Sequence, residues 1–210
     1  MLKIARGDFS YTHIIYVRKC EMTPELLGLL ALMILMVLLL LATREDIRSH
    51  RIPNKLVLVG VLLGLGLNGL LPSGLGFNSE VPGGIGWLAA IKGLVFGIVV
   101  LLPMYLLRAM GAGDVKLMGM VGTFLGAGDL IGALIATLIA GGVMALVVAL
   151  WSRQLVNMLQ NIKLMLFGGL LKMNAGQLPT MNDLPGSVAK LPYAVAITAG
   201  TLGYLIWQRM

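Results

Sequence analysis

The amino-acid sequence predicts an all-α polytopic membrane protein, with about six transmembrane helices and an amphipathic helix lying in the cytoplasmic interface. Composition is the first reason. Of 210 residues, 58% are hydrophobic and 12% charged, with a mean hydropathy of +0.93. A soluble domain is close to half apolar and about a quarter charged. The second reason is the apolar runs, several of which approach the roughly 20 residues needed to cross hydrocarbon. The third is that basic residues cluster in short segments on alternate sides of those runs. A single transmembrane domain over 24–210 is expected, behind a polar and aromatic lead-in at 1–23.

Each element has its own signal. Pro24 and Glu25 suit the first turn of a helix, and 26–42 is nearly all Leu, Met, Ile and Val, the first span. It runs into the densest charge cluster in the chain, Thr43 through Arg51, expected to be a loop. Pro53, near a first turn, restarts a helix whose span is 55–71. The Gly-, Pro-, Ser- and Asn-rich segment 72–86, with Glu80, reads as an exposed loop. Trp87 stands where aromatic belts sit and opens the span 87–107. Within that span Lys92 can snorkel outward and Pro103 should kink the exit. A short span at 115–125, a turn at Gly126-Ala127-Gly128-Asp129 and a span at 130–150 follow. In 153–172, Leu155, Leu159, Ile162, Leu166 and Leu170 recur at helical spacing opposite Arg153, Gln154, Asn157, Gln160 and Asn161, the pattern of an interfacial helix. A polar loop at 173–190 precedes the last span, 192–207.

Several function classes are set aside. Cys20 stands alone, so neither an internal disulfide nor a CxxC metal site is expected. His13 and His50 are the two histidines and have no partner at ligand spacing, so no metal and no cofactor is expected. The net charge of +7 is not gathered into a basic run interleaved with aromatics, which argues against nucleic acid as a partner and for loops anchored on the cytoplasmic side of a lipid bilayer. The first apolar run is too long for a signal-peptide core and reads as a retained helix.

Loop charge orients the spans. The exit of the first span carries Arg44, Arg48, Arg51 and Lys55, that of the third Arg108 and Lys116, and that of the fifth Arg153, Lys163, Lys172 and Lys190. These three exits should face the cytoplasm, although the basic lead-in, diluted by Asp8, Glu21 and Glu25, argues the other way for the N-terminus. Asp46 ends the first span and Asp114 begins the fourth, so both fall on one face whichever way the chain inserts. Asp129 follows Asp114 by a helix length, roughly 22 Å at about 1.5 Å per residue, and is read as a turn and capping residue instead.

The chemistry centres on Gly111-Ala112-Gly113-Asp114-Val115-Lys116-Leu117-Met118-Gly119. A carboxylate at the mouth of an apolar helix marks a functional site by default, and Gly111 and Gly113 allow non-helical backbone and close approach. The plain alternative is that Asp114 caps its own helix. Two Asp on one face suggest acid–base hydrolysis. Both cannot easily ionise in one site, so one carboxylate accepts a proton from water while the other donates.

Here the chain resembles the type IV prepilin peptidases. Gly111 through Met118 is similar to their GxGD signature, including Lys116. Asp46 with Arg48, followed by Arg51-Ile52-Pro53-Asn54, resembles their first-aspartate segment, particularly in the small branch serving Flp-type tight-adherence pili. Leu191-Pro192-Tyr193-Ala194 resembles their closing helix start. The resemblance implies a bacterial inner-membrane aspartic endopeptidase. It would use Asp46 and Asp114 to remove short basic leaders after a glycine, at the cytoplasmic face, from prepilins or pseudopilins, alongside pilus-assembly machinery. The larger members' CxxC-bearing cytoplasmic domain is missing from the first loop, so peptidase activity without a zinc domain is implied.

Gly111, Gly113, Lys116, Arg48 and Pro53 are further candidates for substrate binding or for shaping the site. Lys116 reads equally as a snorkelling lysine, Arg48 and Arg51 as topology determinants, and Pro53 as a helix start. Two other functions fit the same carboxylates. One is a small proton- or cation-coupled transporter, which internal repeats and midplane charges would signal. The other is a non-catalytic pilus-assembly subunit, which loss of an Asp would signal.

Overall fold

The computed structural model describes residues 24–79, 82–107, 110–151 and 192–210. The lead-in 1–23, Glu80, Arg108, the amphipathic segment 153–172 and the polar loop 173–190 lie outside them. Among the described residues the fold is all-helical: α1 Pro24–Ser49, α2 Asn54–Leu70, α3 Trp87–Leu106, α4 Ala112–Trp151 and α5 Tyr193–Trp207. Of these α1, α3 and α4 are long and apolar enough to cross a membrane, and α2 and α5 are shorter apolar helices.

The outer surface agrees with that composition. Leu58, Leu62, Val99, Ile139 and Val143 are each at least half exposed, a breadth of apolar surface that a soluble monomer rarely carries. Inside, small residues set the helix spacing. A Cβ on Gly93 of α3 would run into the carbonyl oxygen of Gly122 on α4, and one on Gly122 into that of Gly93. Close backbone approach through small residues is how helices pack where lipid removes the hydrophobic drive between them. The core is completed by Leu35, Leu39, Leu117, Met120, Phe124 and Ile197, all fully buried.

Three expectations are revised. Helix α1 does not stop at residue 42 but continues through the charge cluster to Ser49. It ends where the N–H of His50, at φ 50°, donates to the carbonyl of Asp46 at 2.8 Å, a left-handed C-terminal cap usually made by glycine. Asp46 therefore sits on a helical turn, not in a loop. The reversal expected at 126–129 is made by Gly126 alone (φ 75°, ψ 174°), and Gly128 and Asp129 are already helical. The two arms of α4 run opposite ways. Before Gly126, Gly113 meets Ile52 and Thr123 meets Gly64, alongside α2. After it, Gly132 meets Tyr204 and Gly141 meets Tyr193, antiparallel to α5.

The loop 72–86 is not simply exposed. Phe77 and Asn78 are buried, the Gly74 N–H donates to the Gly84 carbonyl and the Gly84 N–H to that of Pro72, and Asn78 Nδ2 donates to the Leu205 carbonyl at 3.1 Å. Its glycines and prolines shape a tucked turn over an apolar anchor. Helix α3 starts at Trp87 as expected and runs through Pro103 to end at Leu106.

Candidate active site

Asp46 and Asp114 are the two charged side chains buried among the described residues, at 7% and 8% exposure. Each meets a helix N-terminus, where unpaired N–H groups and the helix dipole favour a carboxylate. Asp114 lies in the first turn of α4, and its Oδ2 accepts from the Gly111 N–H at 3.1 Å, while its own N–H donates to the Gly111 carbonyl at 3.2 Å. The first of these is the backward half of a capping box. Gly111 matters because a Cβ there would stand 3.1 Å from that same Oδ2.

Asp46 reaches further. Three residues before the end of α1, its Oδ2 accepts from the N–H of Ala194 in α5 at 3.1 Å. Pro192 precedes α5, and Ala194 is one of the first-turn residues whose N–H lacks an intrahelical partner. The last helix is thereby capped from another part of the chain, 148 residues away.

The segment between α1 and α2 closes the site. A Cβ on Gly113 would lie 3.2 Å from Cβ of Ile52, so glycine there lets the turn after Asp46 pack against the start of α4. Lys116 Nζ donates to Asn54 Oδ1 at 3.1 Å, tying the first turns of α2 and α4. Asp46 and Asp114 are near enough to interact electrostatically, as are Asp114 and Tyr193. Arg48, in the last turn of α1, and Pro53, which precedes α2, are exposed at the rim.

Asp129 is elsewhere. Its Oδ1 accepts from Tyr204 Oη at 3.1 Å and from Gln208 Nε2 at 3.3 Å, at the end of α5 remote from Ala194. Sequence reasoning gave no part in the site to Ala194, which bonds Asp46, or to Thr43 and Thr198, which join α1 to α5. The available signal was spacing: Thr43 and Asp46 are i and i+3 on one helix and share a face.

A helical bundle with an apolar outer surface and two buried, backbone-bonded carboxylates at one end defines a membrane-embedded protein equipped for acid–base chemistry. Residues 33–146 match the profile of the type IV leader peptidase family, more than half the chain, and the protein belongs to that family. The matched segment includes Asp46, Pro53, Gly111, Gly113, Asp114 and Lys116 and stops short of α5. No individual curated protein and no solved structure matches the chain.

Proposed function

We propose that the protein is an aspartic endopeptidase that cleaves the short basic leader from prepilins or pseudopilins, with Asp46 and Asp114 as its catalytic residues. The observation that carries this reading is the pairing of two buried carboxylates, each held by a backbone N–H at a helix start, in a member of the leader peptidase family. The ionised member of the pair removes a proton from water as its oxygen bonds to the scissile carbonyl carbon. The protonated member gives its proton to the carbonyl oxygen. Proton return to the amine nitrogen then lets the C–N bond break, releasing leader and mature N-terminus. The protons belong to the pair as a whole.

Gly111 and Gly113 act by close approach, Lys116 by holding α2 to α4, and Arg48 and Pro53 shape the rim that a leader crosses. Taken with the basic loops, this reading sets both Asp at the cytoplasmic face of a bacterial inner membrane. The two arms of α4 then each make a crossing, giving about six in one domain over 24–210. The short charged turn between α1 and α2 favours the Flp-type branch of substrates.

The test is leader processing in membranes, with a Flp-type prepilin co-expressed beside wild type, Asp46→Asn, Asp114→Asn and Asp129→Asn. Wild type and Asp129→Asn should shift the prepilin on a gel, and the other two should insert but not cleave. Cleavage by either Asp46→Asn or Asp114→Asn would sink the two-aspartate mechanism. Failure of wild type across several prepilins would favour the transporter or assembly-subunit readings.

A further inference from the structure

The surroundings of Asp46 contain a feature that the two-aspartate chemistry does not itself require. Thr43 Oγ1 and Thr198 Oγ1 are 2.7 Å apart, joining α1 to α5. Thr43 Oγ1 also lies 3.3 Å from the carbonyl oxygen of Ala194, and Thr198 Oγ1 lies 3.4 Å from that of Leu39. Ala194 precedes Thr198 by four residues, and Leu39 precedes Thr43 by four. A threonine in a helix ordinarily turns its hydroxyl to the carbonyl four residues back in its own helix. Here each hydroxyl lies against the corresponding carbonyl of the other helix, and with two protons for three contacts, two of the three are hydrogen bonds at any time.

The consequence falls on Ala194. Its N–H donates to Asp46 Oδ2 while its carbonyl faces Thr43 Oγ1. Thr43 and Asp46, one turn apart on the same face of α1, therefore grip a single residue of α5 from both sides. Thr198 is buried and Thr43 half-buried in the apolar interface, so water is a poor substitute for either partner. A shift of α5 along α1 by a fraction of a turn would break this hydroxyl pairing and draw the Ala194 N–H off the carboxylate together.

We propose that Thr43 and Thr198 are positioning residues, a hydroxyl clasp that sets the register of α5 against α1 and so aims the Asp46 carboxylate at its place in the catalytic pair. The inference rests on the reading of Asp46 as catalytic. It predicts a specific kinetic signature, because the clasp acts through the placing of the Asp46 carboxylate.

The experiment measures kcat and KM for cleavage of a basic-leader prepilin, per molecule of inserted full-length enzyme, in Thr43→Val, Thr198→Val, the double variant and the two Thr→Ser variants. Each valine variant should lower kcat by about tenfold, the size that loss of one structured hydrogen bond carries, with KM unchanged. The double variant should be no worse than either single one, since both remove the same clasp. Serine keeps the hydroxyl and should hold kcat within about twofold of wild type. Wild-type kcat in the valine variants, equal losses in the serine variants, or fully additive losses would each overturn the proposal.

Should the valine variants fail to accumulate, Thr43→Cys with Thr198→Cys in a Cys20→Ser background decides the matter. Oxidation rejoins the two side chains, so the cross-linked enzyme should cleave near the wild-type rate and lose kcat on reduction. Equal rates in both states would refute the clasp. The Asp46→Asn control separates the two levels. Activity there would remove the site assignment itself, whereas an inactive Asp46→Asn beside fully active valine variants would remove only the clasp.

Discussion

Asp46 and Asp114 are buried yet bonded, and the distinction governs what substitution does. Asparagine is nearly isosteric with aspartate, and its carbonyl oxygen can still accept the N–H of Gly111 or Ala194. We therefore expect Asp46→Asn and Asp114→Asn to insert and fold, with cleavage reduced by at least about 100-fold, the usual scale of a lost acid–base group. Quantifying inserted protein beside cleaved prepilin checks both halves. Gly113 is a finer case. Alanine there places its Cβ 3.2 Å from Ile52 Cβ, a contact relieved by a few tenths of an ångström. Valine adds methyl groups that Ile52 cannot clear. Gly113→Ala should retain most activity and Gly113→Val should lose it, because displacing Ile52 moves the turn that follows Asp46 away from the start of α4. Near-wild-type cleavage by Gly113→Val would contradict this.

Helix ends and helix contacts make larger demands than side-chain chemistry does. His50 closes α1 at φ 50°, a conformation costing a non-glycine residue roughly 1–2 kcal/mol. His50→Gly should raise thermal stability in detergent, and the β-branched His50→Val should lower it; the reverse order would show that the imidazole has a role of its own. Gly93 and Gly122 face each other with no room for a methyl group. Gly93→Ala must push α3 off α4, at a cost of about 1–3 kcal/mol, visible as a lower Tm and reduced accumulation. Asn68, 2% exposed, gives its amide to the carbonyls of Thr123 at 2.7 Å and Gly64 at 3.1 Å and accepts the N–H of Ile85 at 2.9 Å. It ties α2, the first arm of α4 and the entry to α3 into one unit. Asn68→Leu should cost about 2–3 kcal/mol, since it leaves the Thr123 carbonyl and the Ile85 N–H without these partners.

The molecule as a whole has two polar ends joined by apolar helices. One end holds the carboxylate pair. At the other, Asp129 accepts from Tyr204 and Gln208, Gln208 accepts from Asn78, and Arg209 Nε donates to Asn78 Oδ1 at 2.7 Å. That network closes the 72–86 turn over the end of α5. Tyr204→Phe and Asp129→Asn should lower Tm while leaving kcat per inserted molecule within about twofold, because a helix length separates them from the chemistry. A large loss of kcat would mean that the two ends are coupled.

Much of this organisation was legible in the chain. Run length and hydrophobicity are local properties, so the membrane class and the starts of α2 and α3 followed from them. Counting helix lengths was enough to put Asp46 with Asp114 and Asp129 apart, because the rise per residue does not depend on what packs alongside. Other features depend on neighbours distant in sequence. The charge cluster after residue 42 continues as helix, and Asp46 on it meets an N–H of α5, a partner that no property of 43–51 reveals. Residues 77 and 78 tuck inward because Phe77 and Asn78 meet α1 and α5. The grip of Thr43 and Asp46 on Ala194 exists only once α1 and α5 stand side by side. Composition and run length mark the chain as a helical membrane protein. Tertiary packing decides which backbone N–H meets each carboxylate, because a hydrogen bond near 3 Å requires two helices to share one register, and no single helix contains that information.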